Sequence, residues 1–292
     1  MLANLMLVIA AMVWGSAFVA QDVAAEHLGT FSINGIRYMI GALVLIPLIL
    51  LLNFTKKEKR ELFKKQLRPS LIGGTVCGIV LFIASSLQQI GIGLGTDAGK
   101  AGFITAMYIV IVPILGLFLN KKVTPLAWLA VIIAPIGLFL LCIKNDFSFS
   151  IGDIAIFACA IMFSCHILSV DRFSPKSNGV LLSSVQFFVC SVLSSITALF
   201  TEYTSMEAVN ASLLPLLFLG LGSCGVAYTL QVIAQKMTEP TVASLLMSLE
   251  SVFAVIFGAI ILKQMLDTRE IVGCLIIFAA VILSQLPYKR SK

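Results

Sequence analysis

A few polar side chains stand alone inside long apolar runs, and any chemistry this chain performs must come from them. Glu250 is the clearest: one carboxylate near the middle of Thr238–Leu262, "TEPTVASLLMSLESVFAVIFGAIIL". Desolvation favours the neutral form of a carboxyl group, so Glu250 could take up and release a proton or pair with a substrate amine. It could equally lock its segment to a neighbour through a hydrogen bond. Arg37 could hold an anionic group bidentately, or pair with Asp22 or Glu26. His166 and His27 are the two histidines of the chain, too few for a metal site. His166 therefore reads either as a hydrogen-bonded core residue or as a proton relay. Trp14, Tyr108 and Tyr228 join apolar rings to polar handles, which suits a cavity for amphipathic solutes and also suits packing. Gln88 and Gln231 carry amides that need partners away from water. Both should face the protein interior, where they would line the two ends of a route or bond helix to helix.

Nothing else in the chain points to catalysis. The seven cysteines all sit in apolar runs and show no metal-ligand spacing. No HExxH, GxSxG, Walker or kinase pattern is present. Gly93–Ala98 fits G-x-G-x-x-A, but it joins two apolar runs rather than a strand and a soluble helix. An intramembrane enzyme would need a nucleophile–base pair or a metal cluster, which two isolated histidines do not supply. No cofactor, no metal and no enzymatic activity are expected.

The elements that must position these residues follow from hydropathy. Of 292 residues, 59% are hydrophobic and 12% charged, against roughly 45–50% and about 25% in soluble domains. Ten runs are long enough to cross a bilayer core of ~30 Å: Ala3–Gln21, Ile33–Asn53, Pro69–Ile90, Gly99–Leu119, Pro125–Ile143, Ile151–Ser169, Gly179–Phe200, Leu213–Ala234, Pro240–Leu262 and Ile271–Pro287. The basic stretch Phe54–Arg68 reads as a loop. If it is cytoplasmic and the sides alternate, fifteen Lys and Arg residues fall on the cytoplasmic side and four opposite. That bias predicts a multi-pass protein of the cytoplasmic membrane with both termini inside. It also accounts for the net charge of +6 without a nucleic-acid partner.

The two halves of the chain echo each other. A shift of 143 sets Ala84, Leu87 and Gln88 on Ala227, Leu230 and Gln231. A shift of 149 sets Asp22 on Asp171 and Arg37 on Gln186. Each half, 1–145 and 146–292, holds five spans. Five is odd, so the second half enters the membrane inverted. The fold class expected is an all-α membrane protein of ten transmembrane helices in two inverted five-helix repeats, with a site between them.

"MVWGSAF", "GIRYMIGALVLIPL" and "TVASLLMSLESVFAVIFGAIILKQML" resemble the EamA-type transporters of the drug/metabolite transporter superfamily, over essentially the whole chain. The family pattern usually reads Glu-Pro at Glu250-Ser251, and Gly-Glu at Lys263-Gln264 and Asn120-Lys121. The resemblance implies a ten-helix, inverted-repeat carrier of the inner or plasma membrane. The function expected is secondary transport, by alternating access, of an amino-acid-like or other amphipathic metabolite, in the export direction and coupled to protons. Trp14, Arg37, Gln88, Tyr108, Tyr228 and Gln231 are the substrate-binding candidates, with Glu250 and His166 as proton-coupling candidates. An intramembrane enzyme or a non-transporting membrane sensor is the alternative. Expected partners are a small solute, the lipid bilayer and a second copy of the chain in a homodimer.

Overall fold

The computed structural model describes residues 1–96, 98–143, 150–262 and 267–286, without the side chains of 98–99 and 258–262. The 145/146 boundary between the halves lies outside these residues. So do Lys144, Lys263, Lys289, Arg290 and Lys292 of the charge count. Among the described residues the elements are all helical, and ten helices are long and apolar enough to cross a membrane. Hydrocarbon offers a backbone no partners, and a helix satisfies its own N–H and C=O groups.

The first three spans are α1 (Leu2–Ala25), α2 (Thr30–Asn53) and α3 (Lys57–Gly93). Helix α4 runs as Ala98–Thr105 and Tyr108–Phe118, and α5 as Pro125–Cys142. The second half holds α6 (Ile151–Phe173), α7 (Gly179–Thr201) and α8 (Leu213–Ala234). It closes with α9, as Pro240–Met247 and Leu249–Leu262, and α10 (Thr268–Gln285). The termini are punctuated by chemistry. Thr124 caps α5 ahead of Pro125, Ser150 forms a capping box with Asp153 on α6, and Asn178 caps α7.

One boundary corrects the sequence reading. Most of the expected loop Phe54–Arg68 is the first three turns of the 37-residue α3. Lys, Glu, Leu, Arg and Gln are good helix formers. Pro69 then sits inside the helix, where Ser70 Oγ donates to the Gln66 carbonyl at 2.7 Å.

The tightest helix pairs join one half to the other. Helix α2 lies on α7, α3 on α6 and α7, α5 on α10, α1 on α8 and α9, α2 on α8, and α4 on α6. Exchanging α1–α5 with α6–α10 maps this set of pairs onto itself. Glycines permit the close approaches. A Cβ on Gly74 or Gly78 of α3 would lie 2.6 Å or 2.7 Å from α7 atoms, and Gly137 of α5 and Gly273 of α10 would each strike the other's carbonyl oxygen. The α2/α7 pair is also closed at both ends. Glu202, after α7, accepts from the backbone N–H groups of Phe31 and Ser32 at the start of α2, both at 2.8 Å. At the other end Asn178 Nδ2 donates to Asn53 Oδ1 at 2.8 Å.

Candidate functional site

Where the crossing helices part, they leave a cavity bordered by residues of seven spans. Helix α1 presents one face to it: Trp14, Ala17, Phe18 and Gln21, spaced i, i+3, i+4 and i+7. Arg37 enters from α2, Gln88 from α3, and Thr105 and Tyr108 from α4. From the second half come Phe163, His166 and Ile167 of α6, Ser223, Tyr228 and Gln231 of α8, and Met247 and Glu250 of α9. All eight side chains singled out in the sequence therefore border one cavity, drawn from both halves.

Counted along their helices, Gln21, Arg37 and Gln88 lie toward one membrane face. Trp14, Tyr108 and Glu250 lie near mid-depth, and His166 and Gln231 toward the opposite face. The two glutamines thus border the same cavity from opposite ends. Gln88 Nε2 donates to Thr105 Oγ1 at 3.3 Å. Gln231 Nε2 donates to Gln235 Oε1 at 3.1 Å, and Gln235 in turn donates to the Ile167 carbonyl.

The mid-depth pair sits at two helix breaks. Chain regularity lapses between Thr105 and Tyr108 in α4, and at Ser248 in α9. Tyr108 and Glu250 each stand in the first turn after a break. Tyr108 Oη donates to Glu250 Oε1 at 3.1 Å, joining the two halves across the cavity. At the α9 break the Ser248 hydroxyl bonds back to the Leu245 carbonyl at 2.8 Å, a local bond that competes with regular helix.

The structure changes the reading of Arg37. Its partners are not Asp22 or Glu26, which are exposed on the far side of α1. Nη1 donates to Gln21 Oε1 at 2.9 Å, Nη2 reaches Tyr38 Oη at 3.4 Å, and the guanidinium lies 4.8 Å from the centre of the Tyr38 ring. Helical phase is the reason: at ~100° per residue, Asp22 and Glu26 turn away from the stripe that carries Gln21. On the opposite side His166 Nε2 and Gln186 Oε1 lie 3.0 Å apart.

Aromatic rings enclose the middle. Trp14 meets Tyr228 edge-on at 4.7 Å, and Tyr228 also contacts the rings of Tyr38, His166 and Phe187 at 6.0–6.5 Å. Tyr228 ends an eleven-residue π-helical stretch, Phe218–Tyr228, which contains three glycines and Ser223. Such wide turns recur at functional sites. Four cavity residues hold buried polar atoms with no protein partner: Trp14 Nε1, Arg37 Nε, His166 Nδ1 and Gln231 Oε1. Buried polar atoms are normally paired, so these four are the unsatisfied polar groups of the cavity wall. Among the described residues no three His, Cys, Asp or Glu side chains converge as a metal site requires.

Sequence reasoning missed Gln21, Thr105 and Ser223. Gln21 was findable, since it continues the α1 stripe one turn beyond Ala17 and Phe18. Thr105 and Ser223 carry no such signal, because small hydroxyl residues recur throughout these spans.

The model of the EamA-like transporter family matches residues 1–143 and again 150–286. A protein of Archaeoglobus fulgidus named "Uncharacterized transporter" is 30% identical over 285 residues, covering 97% of this chain and 86% of the relative. The "Uncharacterized transporter YoaV" of Bacillus subtilis is 22% identical over 295 residues, covering 96% of each. Among the solved structures that match, a crystal structure has a TM-score of 0.80 at 17% identity, covering 97% of this chain and 96% of the other. At that identity the likeness concerns the fold alone.

Proposed function

As this chain belongs to the EamA-like transporter family, we propose that it is a secondary carrier exporting a small amphipathic solute across the cytoplasmic membrane by alternating access. That it is a multi-pass membrane transporter follows from the family and from its ten apolar helices. The proposal adds the route, the direction and the driving force. One observation carries it: one cavity between the two halves gathers all eight candidates, several with polar atoms still unpartnered. Substrate sites at the interface of inverted repeats are what a rocking mechanism requires. In this reading the halves 1–145 and 146–292 rock about the cavity, with both termini cytoplasmic. An amino-acid-like or other amphipathic solute fits walls that are aromatic at mid-depth and polar at both ends. A homodimer would hold one complete cavity in each copy.

Glu250 is the proposed proton carrier. Sealed from water, its carboxyl favours the neutral form, and flooding of the cavity lets it ionise. The Tyr108 hydroxyl, which donates to it, supports the anion once formed. His166, with Nδ1 unpartnered, is a second site for the proton on the way to the opposite face.

Counterflow in proteoliposomes tests this reading. A solute from a metabolite panel should exchange saturably against its own gradient. Glu250→Gln keeps shape and hydrogen bonding but cannot titrate, so exchange should persist while accumulation driven by a pH gradient is lost. Flux that never saturates would indicate a channel. Accumulation by the Gln variant at the wild-type level would remove Glu250 from the coupling.

A further inference from the structure

On the carrier reading above, we propose that Arg37 anchors an anionic group of the solute, so that the cavity selects monoanionic amphipathic compounds over their neutral and cationic analogues. The solute class is a carboxylate or sulfonate on an apolar or aromatic body.

Arg37 is 4% exposed and stands two turns inside α2. Its guanidinium stays charged at any physiological pH, and a buried charge calls for an opposite one. None is supplied. Among the described residues the ion pairs are Lys64–Glu61, Lys100–Asp153 and Lys121–Asp171, and none includes Arg37. Its hydrogen-bond partners are a neutral amide and a phenol, and Nε has no partner. The one acid bordering the same cavity, Glu250, bonds to Tyr108 instead. The cavity therefore keeps a permanent cation apart from its own carboxyl group.

The scaffold does not require the charge. Gln186, which corresponds to Arg37 under the 149-residue shift, is buried at the equivalent place in α7 and bonds to His166. A guanidinium with unused donors beside a cavity is suited to a carboxylate or sulfonate, which it can grip through two parallel hydrogen bonds. Trp14, Phe18, Phe163, Tyr228 and Met247 then offer an apolar wall to the body of the solute.

The test is thermal melting of the purified protein with three probes that share one body: 3-phenylpropanoate, 3-phenylpropanamide and 3-phenylpropylammonium. At roughly ten times its Kd, the carboxylate should raise Tm by about 3 °C, and the amide and the ammonium should not. Arg37→Gln, which copies the residue of the second half, should fold and lose that rise. Arg37→Lys should keep a smaller one, since a lysine cannot grip bidentately. An equal rise with the amide or the ammonium overturns the proposal, as does a full rise in Arg37→Gln or no rise with any probe. Arg37-dependent binding of 3-phenylpropanoate without counterflow in proteoliposomes would keep the anion anchor and remove the carrier reading. Counterflow that is equal for all three probes, and unchanged in Arg37→Gln, would keep the carrier and overturn the anchor.

Discussion

Helices α4 and α6 flank the cavity on one side and α1 and α9 on the other, and exchanging the two halves turns each parallel pair into the other. They are fastened in opposite ways. Helices α4 and α6 are tied at both membrane faces by ion pairs. Lys100 Nζ lies 2.6 Å from Asp153 Oδ2 at one face, and Lys121 pairs with Asp171 at the other. Between α1 and α9 there is no ion pair among the described residues. At mid-depth their backbones come close, so that a Cβ on Gly15 would lie 2.6 Å from the Glu250 carbonyl oxygen and 2.8 Å from the Ala254 nitrogen. The position matching Gly15 in α6 is Ser164, whose hydroxyl bonds to its own helix at the Ala160 carbonyl. One pair is thus a strut held at its ends. The other packs without ion pairs and includes a backbone approach on the turn that carries the cavity carboxyl group. On the carrier reading, equivalent places in the repeated scaffold serve as a fixed wall and as a pivot.

The largest effect should come from breaking the strut at its buried end. Asp153 accepts from Lys100, from Thr96 Oγ1 and from the Ser150 backbone N–H. Asp153→Ala removes all three bonds and should cost about 3 kcal/mol, read as a fall in Tm of roughly 8 °C. Next is the pivot. Gly15→Val forces side-chain atoms against the Glu250 peptide, with an expected cost of about 2 kcal/mol. Its transport rate should fall further than that of Asp153→Ala when the two are compared at equal loss of stability. A Gly15→Val protein that transports normally would make the two pairs mechanically alike. The smallest effect belongs to the exposed end of the strut. Lys121 is 42% exposed, so Lys121→Ala should cost under about 1 kcal/mol. A melting curve as low as that of Asp153→Ala would show that both ends bear equally.

What could be read from the sequence divides along the same physical lines. Bilayer-length apolar runs leave little freedom, so the ten spans and their order were legible. Polar residues inside those runs have to face protein, because lipid offers them nothing. That constraint led to Trp14, Arg37, Gln88, Tyr108, His166, Tyr228, Gln231 and Glu250 before any geometry was known. Partner choice was not legible. Charge alone points Arg37 toward Asp22 or Glu26, whereas helical phase delivers Gln21. The breaks at Ala106–Met107 and at Ser248 fall at neither proline nor glycine, and the π-helical stretch around Ser223 reads as ordinary apolar helix. These features are set by packing between the halves, which one-dimensional periodicity does not contain.

Alternating access of the one cavity is the central claim, and thiol labelling tests it most directly. Ser223 borders the cavity and is 3% exposed, and a cysteine is close to serine in size. With the seven native cysteines replaced, Ser223→Cys should react with a membrane-impermeant maleimide in intact cells and also in inside-out vesicles. Either reaction should be slowed by a solute that supports counterflow. Reaction from one face only, or from neither, would contradict the account.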